Sequence, residues 1–205
     1  MKELSREEKI AKFNDYFIYK FERNVAARYL NAIRTNNTPL INWFESFGDS
    51  LHKIISNVRT YERNVELGFP DEKVYNEYGW IVEGKLKPGK VIQIDERNNV
   101  FVSVSPNGTW CKGSNLSTNN SGSYTGGSIW DKQFATEREA LIQGIEEVIR
   151  WYNSQLKQWE HSTDEFDEES GKTIKYNSMA TYCKKMIKLA EKELQQLKTP
   201  QLELF

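Results

Sequence analysis

The clearest binding chemistry in this 205-residue sequence lies in its last five residues, Gln201-Leu202-Glu203-Leu204-Phe205. Leu204 and Phe205 can enter an apolar pocket, and full burial of each such side chain is worth roughly 1.5–3 kcal/mol. The amide of Gln201 can donate and accept hydrogen bonds, while Leu202 adds apolar contact. Pro200 ends the preceding helix because it lacks an amide donor and restrains its neighbour to extended conformations. We therefore expect a flexible peptide that is displayed for capture by a partner.

The order of these residues resembles the short peptide by which bacterial and phage proteins bind the DNA polymerase sliding clamp. That motif reads Gln, Leu, a small or acidic residue, Leu and Phe, and its four defining positions are occupied by Gln201, Leu202, Leu204 and Phe205. The resemblance implies that the bacterial clamp is the partner and that these four residues contact it. Because ordering a loose peptide costs about 0.5–1.5 kcal/mol per side chain, we expect micromolar affinity, about −8 kcal/mol or weaker. The alternative is that Leu202, Leu204 and Phe205 fold onto the protein's own core.

Residues that commonly carry catalysis or bind metals are sparse and poorly spaced. The two histidines, His52 and His161, have no second His or Cys at ligand spacing, which argues against a zinc site. The two cysteines, Cys111 and Cys183, have no close partner, and we expect reduced thiols. The chain has neither a phosphate-binding loop nor a dinucleotide-binding fingerprint. We therefore expect no catalytic residues, no bound metal and no cofactor, and we predict a protein that is not an enzyme.

The strongest charge run is acidic and contains no Lys or Arg. Its members, within residues 160–169, are Glu160, Asp164, Glu165, Asp167, Glu168 and Glu169. Carboxylates can hold magnesium, but metal-dependent nucleases place them on rigid strands, and the residues flanking this run are typical of a linker. We therefore interpret the run as a solvated connection and predict an acidic linker over residues 161–173.

Length and composition allow one large domain or two small ones with a real hydrophobic core. The hydrophobic fraction is 38%, and the charged residues, 28% of the chain, nearly cancel to a net charge of −1. Only the distribution of charge can therefore bear on nucleic-acid binding. No apolar run approaches membrane-spanning length, and the charged first residues lack the apolar stretch of a signal peptide. We expect a cytoplasmic protein without membrane contact.

We predict an α+β fold that begins with a long helical hairpin over residues 1–70. Ser5 and Glu8 form a capping box, and the apolar face of the first helix consists of Ile10, Phe13, Phe17 and Phe21. The second helix carries a heptad seam, which consists of Leu40, Phe44, Phe47, Leu51, Ile54, Val58, Tyr61 and Val65. We favour packing of this seam on the first helix because its aromatic residues suit globular packing. The alternative is a homodimer through residues 40–65.

Residues 74–160 are predicted to form a small antiparallel sheet followed by a helix. Short β runs begin at Trp80, Val91 and Val100. Residues 113–127 are rich in Ser, Asn and Gly, which predicts a mobile loop, and a last strand is expected over residues 128–134. A capping box of Thr136 and Glu139 then starts the first of two C-terminal helices. The second helix is predicted over residues 174–198, followed by a tail at 199–205.

The segment Phe134-Ala135-Thr136-Glu137-Arg138-Glu139-Ala140 is similar to the end of the last strand in AP2-like and integrase amino-terminal DNA-binding modules. Those families share a Phe-x-Thr-x-x-Glu-Ala pattern after a three-stranded sheet, and the resemblance covers residues 89–155. It implies that the open face of the sheet lies in the DNA major groove. The candidate contacts, through phosphate pairing and base stacking, are Lys112, Lys132, Trp110, Tyr124 and Trp130. The alternative for the aromatic residues is packing between sheet and helix.

The last predicted helix is basic and offers a second candidate DNA contact. One exposed face can carry Lys184, Lys185, Lys188 and Lys192. The alternative is an ordinary solvated helix face.

Taken together, these patterns predict a clamp-binding accessory protein of bacterial, phage or mobile-element DNA replication or repair, which docks by its tail and acts near DNA. The alternatives are an inhibitor that blocks the clamp groove, a small DNA-acting enzyme recruited by the clamp, and a helical module that dimerises through the seam.

Overall fold

A computed structural model describes residues 1–118, 121–159, 165–167, 172–174 and 176–199. The chain forms two compact units, one covering Met1–Lys85 and the other beginning at Leu86. The first unit contains the helices α1 Arg6–Asn14, α2 Arg23–Arg34, α3 Thr38–Glu45 and α4 Leu51–Glu66. The second contains β1 Lys87–Gln93, β2 Asn99–Val104, β3 Trp110–Ser117, β4 Gly122–Thr125, α5 Glu137–Trp159, β5 Glu165–Asp167, β6 Lys172–Ile174 and α6 Tyr176–Lys198. The predicted α+β class is confirmed.

The first predicted helix is divided into α1 and α2. The capping box is present, because Ser5 Oγ accepts from the Glu8 amide and the Glu8 carboxylate accepts from the Ser5 amide. The helix ends at Asn14, however, and Phe17 and Phe21, which were expected on its buried face, are exposed. The physical reason is the composition of residues 16–19, a run of aromatic and β-branched side chains that lose rotamer freedom in a helix and favour extended backbone.

The second predicted helix is divided into α3 and α4 around Gly48. A Cβ at Gly48 would lie 2.7 Å from the Cβ of Lys53, so the close approach of the chain to the start of α4 requires glycine. Most residues of the heptad seam are buried inside this unit. Its core includes Phe44, Phe47, Leu51, Ile54 and Val58 of the seam and Val25, Tyr29 and Ile33 of α2. This burial favours the intramolecular alternative for the seam.

Two asparagines of α4 bind the segment 79–84, in which residues 80–84 were expected to form a strand. Asn57 donates to the carbonyl of Gly79 at 2.9 Å and accepts from the amide of Ile81 at 2.8 Å. Seven residues further along α4, Asn64 donates to the carbonyl of Val82 and accepts from the amide of Gly84, each at 2.9 Å. The side-chain amides of these two asparagines thus make the hydrogen bonds that a neighbouring β-strand would otherwise make with this segment. The first unit therefore extends to Lys85, beyond the boundary near residue 70 that the sequence indicates.

The second unit contains a four-stranded antiparallel sheet in the order β1-β2-β3-β4. Residues 113–127, predicted as a mobile loop, supply most of the β3–β4 hairpin, in which Leu116 pairs with Ser123. Polar composition does not prevent pairing because the ladder is made by backbone groups. The strand predicted over residues 128–134 is absent from this described segment, where Phe134 alone forms a bridge, to Trp110.

Helix α5 covers one face of this sheet, and α6 packs on α5. The shared core includes Ile92, Val100, Val102 and Leu116 of the sheet, Leu141, Ile145 and Val148 of α5, and Cys183, Met186 and Ala190 of α6. A Cβ on Gly144 would overlap the Cγ1 of Val100, so glycine permits the close approach of α5 to β2. The predicted acidic linker over residues 161–173 instead includes the β5–β6 pair, in which Glu165 pairs with Ile174. Glu160, His161, Asp164, Glu168 and Glu169 lie outside the described residues.

Candidate functional site

The end of α6, which leads to the 201–205 peptide, is fixed on α5. Arg138, in the first turn of α5, donates its Nε–H to the carbonyl of Leu197 at 2.6 Å and an Nη–H to the carbonyl of Thr199 at 3.3 Å. Carbonyls at a helix end lack partners within the helix, so Arg138 satisfies groups that would otherwise need water. The amide of Thr199 also donates to Gln195 at 2.9 Å. The predicted clamp contacts, Gln201, Leu202, Leu204 and Phe205, lie outside the described residues.

The candidate lysines of α6 form an exposed row. Lys184, Lys188 and Lys192 follow one another at four-residue spacing, which places them on one side of the helix, and Lys185 lies beside them. The buried residues Cys183, Met186 and Ala190 occupy the opposite side. Over Tyr176–Lys198 the helix has five lysines and two glutamates, a net charge of +3. We call Lys184, Lys185, Lys188 and Lys192 the α6 lysine row.

Lys112 and Trp110 lie on the helix side of the sheet. Lys112 pairs in register with the buried Val102, and because strand side chains alternate between faces, both point toward α5. Lys112 forms an ion pair with Glu147 of α5, and its side chain is only 16% exposed. Trp110 packs against the core shared by the sheet and α5, as the packing alternative predicts. Neither residue therefore lies on the open face, where groove contact was expected.

The opposite face of the sheet carries Tyr124, which is 73% exposed, and Phe101, whose ring centroid lies 6.3 Å away. Phe101 pairs with Val91 on one side and with Gly113 on the other. The residues of β2 and β3 that alternate onto this face are Asn99, Phe101, Ser103, Cys111, Gly113, Asn115 and Ser117, and none of them is Lys or Arg. This face offers an aromatic surface without the positive charge that dominates binding to a DNA groove.

Lys132 and Trp130 lie in the connection between β4 and α5. A turn shapes this connection, since the amide of Asp131 donates to the carbonyl of Ser128 at 3.2 Å. Lys132 Nζ lies 5.0 Å from the ring centroid of Phe134, in a cation–π contact. Both Lys132 and Trp130 are exposed, so they stay candidate contacts although they are carried by a turn and not by a strand.

A buried polar cluster at the β1–β2 turn was missed by reasoning from the sequence. Asn98 donates from Nδ2 to Asp95 Oδ1 at 2.7 Å and to Tyr182 Oη at 2.8 Å. Its Oδ1 accepts from the Tyr152 hydroxyl at 2.7 Å and from the Ser117 amide at 2.6 Å. The cluster therefore joins the sheet to both α5 and α6. We call Asp95, Asn98, Tyr152 and Tyr182 the Asn98 cluster.

The electrostatics of the Asn98 cluster are those of a structural element. Burial raises the pKa of both Tyr152 and Tyr182 above the usual value for tyrosine. Desolvation opposes the charge on Asp95, but hydrogen bonds from the Arg97 amide, Tyr182 and Asn98 outweigh it and lower the pKa of this carboxyl. These shifts favour the ionised carboxylate of Asp95 and the neutral hydroxyls of both tyrosines, the forms that make the hydrogen bonds of the cluster.

Metal and thiol chemistry find little support in the described ranges. No three His, Cys, Asp or Glu side chains converge there as a metal site requires. Cys111 and Cys183 are buried and not disulfide-bonded, and burial raises the pKa of the Cys183 thiol, which lowers its reactivity. His52 likewise belongs to no such group in the described part of the chain, and its Nδ1 lies 3.0 Å from the Tyr16 hydroxyl.

None of the described helices is long and apolar enough to cross a membrane.

Comparisons with known proteins return no relative. No protein-family model matches the chain, and neither the curated proteins nor the solved structures give a significant match. We therefore infer the function from the chain's own residues, chiefly the 201–205 peptide and the α6 lysine row.

Proposed function

We propose that the chain is a sliding-clamp-binding accessory protein of bacterial, phage or mobile-element DNA replication or repair, which docks through the 201–205 peptide and acts near DNA. The observation that carries the proposal is the order of Gln201, Leu202, Leu204 and Phe205. Leu204 and Phe205 anchor the peptide in an apolar pocket, Gln201 orients it by hydrogen bonds, and Leu202 adds apolar contact. Because the clamp works in the bacterial cytoplasm, the proposal implies a cytoplasmic protein.

The contacts at the end of α6 support this way of docking. Arg138 holds the carbonyls of Leu197 and Thr199, so the peptide starts from a defined point on the second unit. Only Pro200 separates Thr199 from Gln201. A short connection keeps a tethered body at an effective concentration in the millimolar range. Once the peptide is docked, α6 is therefore held close to the ring.

The α6 lysine row supplies charge for a second, weaker contact. Exposed lysines on one helix face can neutralise phosphates, and a helix held beside the clamp lies near the duplex that the ring encircles. Such contacts release counterions, so their strength falls as the salt concentration rises. Tethering by the peptide makes even weak affinity of the row for DNA sufficient.

Capture on immobilised, purified bacterial clamp tests the proposal. The intact chain is compared with a deletion of residues 201–205 and with the double variant Leu204→Ala/Phe205→Ala. Glu203→Ala is the matched control because Glu203 occupies the permissive position of the motif. We expect the intact chain and the control to be retained and the other two to be washed away. Equal recovery of the intact chain and the deletion would contradict the proposal.

A second assay separates an accessory protein from an inhibitor. The accessory role predicts that the chain binds DNA in a salt-dependent manner and leaves clamp-dependent DNA synthesis active. Arrest of that synthesis by a chain that does not bind DNA would instead identify the inhibitor.

A further inference from the structure

The connection between α1 and α2 presents three aromatic side chains to solvent. Phe17, Tyr19 and Phe21 are 74%, 51% and 61% exposed, whereas Tyr16 and Ile18 pack against the core of the first unit. Over residues 16–19 this alternation is that of an extended segment, in which successive side chains point to opposite sides. A turn follows, in which the Glu22 amide donates to the Tyr19 carbonyl at 2.9 Å. The ring centroids lie 4.9 Å apart for Phe17 and Tyr19 and 5.3 Å apart for Tyr19 and Phe21. We call these three residues the aromatic ladder.

Contacts beneath the ladder hold its backbone in place. The buried carboxylate of Glu22 accepts hydrogen bonds from the Tyr19 amide and from the Tyr16 hydroxyl, both at 3.0 Å. On the other side, the guanidinium of Arg59 lies 4.3 Å from the ring centroid of Phe21. The rings are therefore positioned before a partner arrives, which reduces the entropy lost on binding.

Exposed aromatic surface on this scale marks an interaction site, and the charges around it indicate the partner. From Asp15 to Arg23 the cations Lys20 and Arg23 and the acid Asp15 are exposed, while the second acid, Glu22, is buried and engaged with Tyr16 and Tyr19. The exposed charge of this segment is therefore net positive, two cations against one acid, and Lys20 lies between Tyr19 and Phe21 in sequence.

The rings themselves favour nucleobases over an apolar protein surface. Every outward position of the segment 17–21 except Lys20 is aromatic, so the surface consists of aromatic rings and cations without aliphatic side chains. Tyr19 and Phe21 stack on each other and Phe17 meets Tyr19 edge to face, so a base would contact the ring surface that this arrangement leaves exposed. Bases stack on exposed aromatic rings regardless of sequence, and phosphates pair with neighbouring cations. We propose that the aromatic ladder, with Lys20 and Arg23, binds single-stranded nucleic acid.

Fluorescence anisotropy with a fluorescein-labelled oligothymidylate tests this proposal on the full chain. The triple variant Phe17→Ala/Tyr19→Ala/Phe21→Ala should bind at least about tenfold more weakly, since alanine removes the stacking of each base. Tyr78→Ala, another exposed aromatic residue of the same unit, is the matched control and should leave the affinity unchanged. Phe17→Tyr/Phe21→Tyr keeps the rings and should retain binding. Because the three rings are exposed, we expect the triple variant to remain folded, with the circular dichroism spectrum of the intact chain.

A duplex of the same length separates the ladder from the α6 lysine row. Paired bases are not available for stacking, so the triple variant should keep its duplex affinity while its affinity for the single strand falls. Equal single-strand affinity of the triple variant and the intact chain would overturn the proposal. Failure of the intact chain to bind the oligonucleotide would also overturn it and would favour a protein partner for the ladder. The same comparison in a chain that lacks residues 201–205 should give the same result, so failure here leaves the clamp proposal untouched.

Discussion

The hydroxyl of Tyr152 donates to the Oδ1 of Asn98 at 2.7 Å, and both residues are fully buried. Tyr152 lies on α5 and Asn98 in the turn between β1 and β2, so this bond joins the helical layer to the sheet. Asn98 also reaches Tyr182 on α6 at 2.8 Å. The helix that carries the lysine row and leads to the 201–205 peptide is therefore held in the second unit partly by one turn residue.

Replacement of Asn98 by alanine should lower the free energy of unfolding by about 2–4 kcal/mol. The variant leaves the Ser117 amide without its acceptor and the Tyr152 hydroxyl with only the Ser117 carbonyl at 3.0 Å, and buried groups that lose partners are costly. Asn99→Ala, at the neighbouring half-buried position, is the matched control and should cost less than about 1 kcal/mol. Denaturant unfolding monitored by circular dichroism measures both values, and similar losses in the two variants would contradict a special role for Asn98.

Asp95 should make stability depend on pH in the acid range. Its pKa is lower in the folded protein, so folding favours the ionised carboxylate. The stabilisation is present above the ordinary pKa of an aspartate, about 3.9, and is lost as the pH falls through the folded value. The difference in unfolding free energy between the intact chain and Asp95→Asn should therefore be largest near neutral pH and should shrink below about pH 4. A difference that stays constant across this range, measured beside the exposed control Glu96→Gln, would refute this role of Asp95.

Gly144→Ala should destabilise the second unit although alanine is the better helix former. The gain in helix propensity is about 1 kcal/mol, whereas overpacking against Val100 costs about 1–3 kcal/mol. Shortening the neighbour relieves the overlap, so Gly144→Ala/Val100→Ala should cost less than the sum of the single variants. Ser154→Ala, on an exposed part of α5, controls for propensity and should be neutral or slightly stabilising. Additive effects of the two single variants would show that the close contact is unimportant.

Features defined by neighbouring residues could be predicted from the sequence. The capping box of Ser5 and Glu8 is formed, and Thr136 Oγ1 accepts from the amide of Glu139 at 3.1 Å at the start of α5. These signals act over three residues and need no knowledge of the rest of the fold. The α+β class followed from the same kind of local pattern.

Features that depend on distant partners could not be predicted. The ion pair of Lys112 with Glu147 joins residues 35 positions apart, and nothing near either residue indicates the other.

The exposure of the aromatic ladder could not be predicted for a different reason. Phe13, Phe17 and Phe21 have helical spacing, so the pattern predicted one buried face, yet the backbone preference of the residues between them ends α1 at Asn14. Spacing alone does not distinguish a continuous helix from a helix followed by an extended segment.

Neutralising the α6 lysine row should weaken binding to duplex DNA. In the variant Lys184→Gln/Lys185→Gln/Lys188→Gln/Lys192→Gln, each lysine that no longer neutralises a phosphate should reduce the slope of log affinity against log salt by about 0.9. Lys12→Gln, an exposed helical lysine of the first unit, is the control and should leave that slope unchanged. Anisotropy titrations at several salt concentrations give the slopes, and an unchanged slope in the quadruple variant would exclude the row as a DNA-binding surface.

Isothermal titration calorimetry of the full chain with purified bacterial sliding clamp measures the proposed docking itself. We predict saturable binding with a dissociation constant in the micromolar range, about 8 kcal/mol of binding free energy. The double variant Leu204→Ala/Phe205→Ala should give no measurable heat, while Glu203→Ala should bind like the intact chain. Absence of binding by the intact chain, or undiminished binding by the double variant, would show that the chain does not dock on the clamp through Leu204 and Phe205.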